Sequence, residues 1–595
     1  MNVTRLFDIL DYRKETQRTR PVFCAKENGE WHKITIDEYI EKVNNLSYAL
    51  LKAGVKRQDK IALISSDRPE WNYLDMAVQQ IGAILVPIYP TISEEDYHFI
   101  LENAEVKMLF LENAEMIRKV SNFIAEIKQI EGIYTFVEPK AVPELPEGME
   151  FNTLSNLLEI GRNAANPEEV AARRSEIQPR DCATMIYTSG TTGHPKGVML
   201  CHENILTCVF GVQNTPEPYF SRAMSFLPLC HIYERMMNYF YQYIGYETYY
   251  AESLGRVVED LKIAQPHIMT AVPRFVEKLY DGIYRKGEKL KGMKRKIFFW
   301  AIDLAKEFQL EGNSTWFDIR RKIADRLVYK TIRESCGGHL EIIVSGGSAM
   351  QPKLAKFFTC VGMKIYEGYG LTETSPVIAV SSKEPHGIKL GTAGLPLPGV
   401  EVIISDANNE ILCRGKNVML GYYKNPEATA QAIDEDGWFH TGDTGMIEPE
   451  GQVRITGRTK TMFKTSMGKY VNPEVLEERF KESPFIHDMM VVGENQKFAA
   501  ALIIPDFDML KDWQKRHGIK CETRDEMIAD KATLERYQAV IDKYNTYFGA
   551  TEQIKRFKIL NDSWDINNGC LTPTLKLKRG VISQRCQTEI DALFL

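Results

Sequence analysis

Short apolar runs and amphipathic stretches alternate along residues 60–113. "KIALISS" (60–66) is an apolar run of strand length, "EWNYLDMAVQQIG" (70–82) carries a helical period closed by Gly82, and "AILVPIY" (83–89) is apolar again. Strand, helix and strand in that order form a βαβ unit, and the alternation recurs at "VKMLFLEN" (106–113), "PHIMTAVP" (266–273) and "LEIIVSGGS" (340–348). The pattern predicts a mostly parallel sheet covered by helices, with ligands at the C-terminal ends of the strands. Residues 274–335 read as long helices rich in Lys and Arg. From about 391 the text changes to short strands and Gly/Pro turns ("GTAGLPLPGVEVIISDANNEILCRG"), which predicts a small β-rich subdomain over about 391–457. "VNPEVLEERF" (471–480) opens a helix, with Asn472 as its cap, Pro473 in the first position and Glu474 favoured at the N-terminus. The expected fold class is α/β. A large N-terminal domain (1–457) of mostly parallel βα layers includes the β-rich subdomain, and a small α+β C-terminal domain (458–595) follows.

Composition narrows the function classes. At 595 residues the chain is too long for one core. A net charge of −6 argues against a general nucleic-acid binder. The eleven cysteines are scattered without a C-x-x-C pair, as in reduced thiols of a cytoplasmic protein. The first twenty residues lack the apolar centre of a secretory signal, and no apolar run reaches the roughly 18 residues of a membrane span. The expected location is cytoplasmic, at most peripheral at the inner face of a membrane. The candidate contact is 285–302, where seven Lys/Arg and one Glu occupy the first twelve positions and "IFFWAI" follows. The favoured alternative is a solvated helix end whose aromatics pack inward. Nothing in the sequence fixes the oligomeric state.

The densest chemistry is "MIYTSGTTGHPKGVML" (185–200). Small residues after a strand leave backbone N–H groups free to converge on an anion, hydroxyls add donors, and Lys196 adds charge, so polyphosphate is the natural ligand. Gly197 stands where a Walker A loop needs Ser or Thr, which disfavours an ADP-forming NTPase of that type. A flexible surface loop is the plain alternative. "YEGYGLTETSP" (366–376), "GWFHTGD" (437–443), "GRTK" (457–460) and "LTPTLKLKR" (571–579) follow in order. Together these five motifs resemble the adenylate-forming superfamily of acyl-CoA synthetases, luciferases and peptide-synthetase adenylation domains. "LPLCHIYER" (227–235), "NVMLGYYKNPEAT" (417–429) and the final motif most resemble long-chain fatty-acid–CoA ligases.

The resemblance implies a two-step reaction: a fatty carboxylate attacks the α-phosphate of ATP, and coenzyme A then attacks the resulting acyl adenylate. It implies that Thr188, Ser189, Gly190, Thr191, Thr192, Gly193 and Lys196 hold the phosphates and that Thr188 and Glu373 stand beside Mg²⁺. Gly346, Gly347, Glu367, Gly368, Tyr369 and Thr372 would line the nucleotide site, with Tyr369 on the adenine. Asp443 has two acceptor oxygens that would match the paired ribose hydroxyls, and Arg458 would reach the same sugar. By the same resemblance Lys464 would contact phosphate, His231 and Tyr233 would form the acyl pocket wall, and Lys576 aligns with the family's catalytic lysine. The family's C-terminal domain is mobile, which makes Lys460 the hinge and places Gly468 on the coenzyme A path. "KTSMGKY" (464–470) departs from the Gly-Gly of many relatives. Rival readings are a fatty-acyl-AMP ligase that passes its adenylate to a carrier protein, and an inactive lipid-binding adaptor at a membrane surface. Acyl chain length is not legible.

Overall fold

The βαβ signal at 60–89 becomes Lys60–Ile64, Pro69–Gln80 and Ile84–Ile88, the strands pairing in parallel with Ile61 opposite Leu85. Pro69 opens the helix, where a missing N–H costs nothing, and Gly82 follows its end at φ +77°, a conformation that favours a residue without Cβ. This computed structural model describes residues 2–27, 29–139, 145, 151–188, 195–458, 462–466, 470–550, 552–565, 568–572 and 576–595.

Among the described residues the first βα layer is an eight-stranded sheet. Its order is Gly421–Tyr422, Lys196–Cys201, Cys182–Thr188, Ile84–Ile88, Lys60–Ile64, Val106–Leu111, Gly132–Thr135 and Phe151–Thr153. A nine-stranded sheet contains Arg222–Ser225, Ile268–Ala271, Ile342–Ser345 and Lys364–Tyr369 as parallel neighbours. Both sheets are parallel inside and turn antiparallel toward an edge, at the pair Cys182–Thr188/Lys196–Cys201 and at Gly368–Tyr369 against Ala379–Val380. The α/β class read from the sequence is the fold observed.

One helix, Ile232–Tyr243, bonds to both sheets. Buried Arg235 donates to Thr184 of the first sheet at 2.7 Å and pairs with buried Asp75. Tyr233 donates to the Val344 carbonyl of the second sheet at 2.8 Å. A buried guanidinium without its carboxylate would be strongly destabilising, so this pair fixes the helix against the strand that ends at Thr188.

The basic stretch folds as Pro273–Glu288, Gly292–Glu307, Thr315–Ala324 and Lys330–Ser335, with a π turn at Asp325–Tyr329. Phe298, Ala301 and Ile302 of "IFFWAI" are buried, and Ile297, Phe299 and Trp300 pack partly buried against the same core. The aromatics of 285–302 thus face inward, while Lys291, Lys294, Arg295 and Lys296 are exposed. No helix among the described residues is long and apolar enough to cross a membrane.

The chain divides into two compact units, one of Met1–Ile403, Leu412–Thr441 and Ile447–Arg454, the other of Ile404–Ile411, Gly442–Met446 and Ile455–Leu595. The core of the second is a sheet of Ile486–Val492, Ala499–Pro505 and Ile554–Ile559, with the first two strands antiparallel and the last two parallel. Its helix Pro473–Phe480 begins as the sequence predicts, but the Asn472 side chain does not cap it. Asn472 Nδ2 donates instead to the Thr456 carbonyl at 2.9 Å. A Cβ at Gly457 would lie 1.6 Å from that nitrogen, so the glycine of "GRTK" admits the amide and diverts it from the helix end.

Candidate active site

Cys182–Thr188 and Lys196–Cys201 pair with Thr188 opposite Lys196 and Tyr187 opposite Gly197, so both ends of the small-residue loop meet at one point. Ser189, Gly190, Thr191, Thr192 and Gly193 lie outside the described residues. A Cβ on Gly197 would stand 3.0 Å from the Tyr187 ring, which accounts for a glycine after the lysine.

"YEGYGLTETSP" is a strand, a tight loop and a return. The strand Lys364–Tyr369 runs to Gly370, where a Cβ would meet the Pro376 carbonyl oxygen at 1.8 Å, so only glycine lets the two arms of the loop approach. A 3-10 turn, Thr372–Thr374, follows, and the Thr374 hydroxyl accepts from the Leu371 N–H at 2.9 Å. The Ile378 N–H then returns to the Tyr369 carbonyl at 2.8 Å. Glu373 thereby projects from a loop braced on both sides.

A tyrosine joins this loop to the hairpin. Gly421–Tyr422 adds to the edge of Lys196–Cys201, with Tyr422 opposite Val198. The Glu373 carbonyl accepts from the Met419 N–H at 2.8 Å. The Tyr422 hydroxyl donates to Glu373 Oε1 at 2.8 Å, and Lys196 Nζ sits 5.1 Å over the Tyr422 ring centre. Burial, and secondarily the Glu373 charge, hold that hydroxyl above the ordinary tyrosine range, so it remains a donor. Lys196, Tyr422 and Glu373 form one linked constellation. Tyr422 lies in "NVMLGYYKNPEAT", a segment the sequence singled out without giving this residue a role.

The second sheet contributes the neighbouring wall. Gly346 follows Ile342–Ser345, and a Cβ there would stand 3.2 Å from the Tyr233 ring and 3.5 Å from the Gly368 carbonyl. Gly347 adopts φ +86°. Tyr233, Met236, Met237 and Phe240 on one side, and Val344, Gly368, Val377 and Val380 on the other, line a narrow apolar slot. It holds about 20 Å³ here, room for roughly one water. Tyr233 is in that wall, whereas His231 Nδ1 accepts from the Tyr233 N–H at 3.1 Å and caps the helix. Beside Gly368, burial pushes the Glu367 carboxyl up to about 8 against backbone hydrogen bonds and Arg454, which act to lower it.

Glu234, next to Tyr233, is fully buried, and the hydroxyls of Ser225 and Thr270 hydrogen-bond its two carboxyl oxygens. Burial outweighs those bonds and pushes it up to about 8 from an ordinary 4.5. The folded chain holds a proton there that the unfolded chain releases above about pH 4.5, so this contribution favours folding at low pH and is lost as pH rises through about 8. At about 1.4 kcal/mol per unit, the loss is a few kcal/mol across that window. Glu234→Gln removes the titration. Its melting temperature, measured by calorimetry from about pH 5 to 8, is expected to fall less than that of the wild type.

In the second unit, Asp443 is 2 % exposed and its Oδ1 accepts from Arg458 Nε at 2.8 Å, so the two residues predicted at the ribose are partners. Lys464 is exposed at the end of the short strand Phe463–Lys464. Lys576 is exposed on a turn in which its N–H donates to Thr572 Oγ1 at 3.0 Å and its carbonyl accepts from the Thr572 N–H at 2.8 Å. Lys460 and Gly468 lie outside the described residues. Among those described, no three His, Cys, Asp or Glu gather as a metal cluster.

Residues 10–423 match the family of AMP-binding enzymes, and 461–595 match the AMP-binding enzyme C-terminal domain. The chain belongs to the AMP-binding enzyme family. It is similar to the long-chain-fatty-acid–CoA ligase FadD15 of Mycobacterium bovis, 32 % identical over 581 residues that cover 95 % of this chain and 93 % of that one. It is similar also to human long-chain-fatty-acid–CoA ligase 1, 30 % identical over 606 residues covering 95 % and 82 %. Among solved structures, the anthranilate CoA ligase AuaEII in complex with anthranoyl-AMP shares the fold at 18 % identity. Its TM-score is 0.74, over 99 % of this chain and 98 % of that one. In this AMP-binding enzyme 185–200 and 366–376 fall within the first matched segment and 571–579 within the second, while 437–443 and 457–460 lie between the two.

Proposed function

We propose that this AMP-binding enzyme converts a long-chain fatty acid, ATP and coenzyme A to the acyl-CoA thioester, AMP and pyrophosphate. The carrying observation is that Gly368, between Glu367 and Tyr369 on the strand whose loop presents Glu373, lines an apolar slot. Once the slot widens from its present volume of about 20 Å³ to admit an apolar chain, the carboxylate of that chain lies where the strand and hairpin motifs converge. The names of the similar ligases support the same substrate class.

In this reading a carboxylate oxygen attacks the α-phosphorus, the bond to the bridging oxygen breaks, and pyrophosphate leaves. The thiol sulfur of coenzyme A then attacks the acyl carbon and AMP leaves. Two anions meet in the first step, so positive charge and hydrogen-bond donors dominate the catalysis. Thr188 and Lys196, with the loop 189–193, hold the β- and γ-phosphates. Gly346, Gly347, Glu367, Gly368, Tyr369 and Thr372 border the nucleotide, Asp443 and Arg458 serve the ribose, and Lys464 contacts phosphate. Thr188 and Glu373 fit Mg²⁺, since both donate oxygen and Glu373 is oriented by Tyr422. The ion supplies positive charge that offsets the phosphates. The functional domains are 1–457 and 458–595; rotation of the second about Lys460 exchanges Lys576, for the first step, with the Gly468 loop, for the second. The enzyme works in the cytoplasm, and the exposed basic residues of 285–302 give it a peripheral contact with membrane.

Pyrophosphate release across acids from acetate to C18, with and without coenzyme A, tests the proposal. Release with long acids and thioester formation that needs coenzyme A are expected. ADP as product, or AMP release that coenzyme A does not stimulate, would contradict it. The slot makes a further prediction: Met237→Trp fills it, so kcat/KM should fall about tenfold for a long acid relative to a short one, read from paired saturation curves.

A further inference from the structure

The helix Thr315–Ala324 and the π turn after it have two apolar faces, and only one is covered. Phe317, Ala324 and Val328 are buried in the core shared with Gly292–Glu307. Trp316, Ile319, Ile323 and Leu327 follow one another at intervals of three, four and four residues, a spacing that a helix gathers on one side. They are 63 %, 47 %, 48 % and 53 % exposed. Single exposed apolar residues are ordinary; a continuous line of large ones marks an interaction surface.

Charge identifies the partner. Residues 285–330 hold thirteen Lys/Arg and six Asp/Glu, a net of +7 within a chain of −6. Lys322 and Arg326, interleaved with the apolar line, are exposed and form no ion pair among the described residues. We infer that this face docks on an anionic phospholipid bilayer, with Trp316, Ile319, Ile323 and Leu327 entering the boundary between headgroups and acyl chains. The surrounding Lys and Arg meet the lipid phosphates. Tryptophan suits that boundary, having an apolar body and one polar N–H. A second copy of the chain would oppose like charges, and a neutral partner would leave the cations unmatched. The inference deepens the membrane contact proposed for 285–302 and rests on it for the electrostatic half. Because "IFFWAI" faces inward, the inserting side chains are those of the next helix.

The test sediments the full chain with vesicles of phosphatidylcholine alone or with about 30 % phosphatidylglycerol, from low salt to about 0.5 M, where charges are screened. The wild type is expected to bind the anionic vesicles and to retain a salt-resistant bound fraction. Combined Trp316→Ser, Ile319→Ser, Ile323→Ser and Leu327→Ser should lower that fraction about tenfold or more. Combined Lys291→Gln, Lys294→Gln, Arg295→Gln and Lys296→Gln should lower chiefly the low-salt binding. Ile323→Asp alone carries the same test if the fourfold serine variant does not fold. Undiminished salt-resistant binding by the serine variant overturns the inference while leaving the basic contact standing. No binding by the wild type overturns both. A wild-type dimer that the serine variant dissociates marks a self-association surface and also overturns it.

Discussion

Lys576→Ala is expected to lower acyl-adenylate formation by about three orders of magnitude while a supplied acyl adenylate and coenzyme A still yield thioester at near the normal rate. The asymmetry comes from where charge moves. In the first half-reaction negative charge passes from the carboxylate through the α-phosphate to the departing pyrophosphate, and a cation placed at that path stabilises the transition state more than the bound substrates. In the second, the phosphoryl transfer is already complete and the adenylate only has to leave. The loss should therefore appear in the rate of the first step and little in ATP affinity. Lys576 is exposed, and its backbone N–H and carbonyl hold its turn to Thr572, bonds that alanine keeps; circular dichroism of the variant checks that it folds. Pyrophosphate release measures one half-reaction and thioester formation from synthetic acyl adenylate measures the other. Equal slowing of both would remove the residue from this role.

The α/β layers were legible because a buried parallel strand must be continuously apolar and its covering helix must be amphipathic; "KIALISS" and "EWNYLDMAVQQIG" satisfy both conditions within 23 residues. For the aromatics in 297–302 the sequence favours inward packing without fixing it, since a period alone does not say which helix face meets a core. The structure turns them inward and leaves the outward apolar line one helix later. Asn472 shows a different limit. A cap residue before Pro is a sound local signal, but Gly457 leaves room for the side chain to reach the Thr456 carbonyl, which no local pattern reveals. Within the candidate site, Thr188 and Lys196 share one motif eight residues apart and are opposite in register. Tyr422 was missed because its partners Glu373 and Lys196 are remote in sequence, and only the added edge strand Gly421–Tyr422 brings them together.

That link makes the remaining prediction a graded one. Glu373→Gln keeps the shape of the side chain and removes its charge, so pyrophosphate release is expected to fall by about two to three orders of magnitude. The magnesium concentration for half-maximal rate should rise, since a neutral amide oxygen is a poorer donor to a hard cation. Tyr422→Phe keeps the aromatic face beneath Lys196 and removes only the hydroxyl that donates to Glu373 at 2.8 Å. A hydrogen bond to a charged group contributes about 1.5–3 kcal/mol, so this variant should lose roughly ten- to a hundredfold. The order of rates, wild type above Tyr422→Phe above Glu373→Gln, distinguishes a carboxylate that acts and a tyrosine that orients it from two independent contributors. The double variant settles the relation between them. With the charge gone, the tyrosine has little left to orient, so adding Tyr422→Phe to Glu373→Gln should cost much less than tenfold further. Strictly multiplicative losses would show that Tyr422 acts through Lys196 or the nucleotide and not through Glu373.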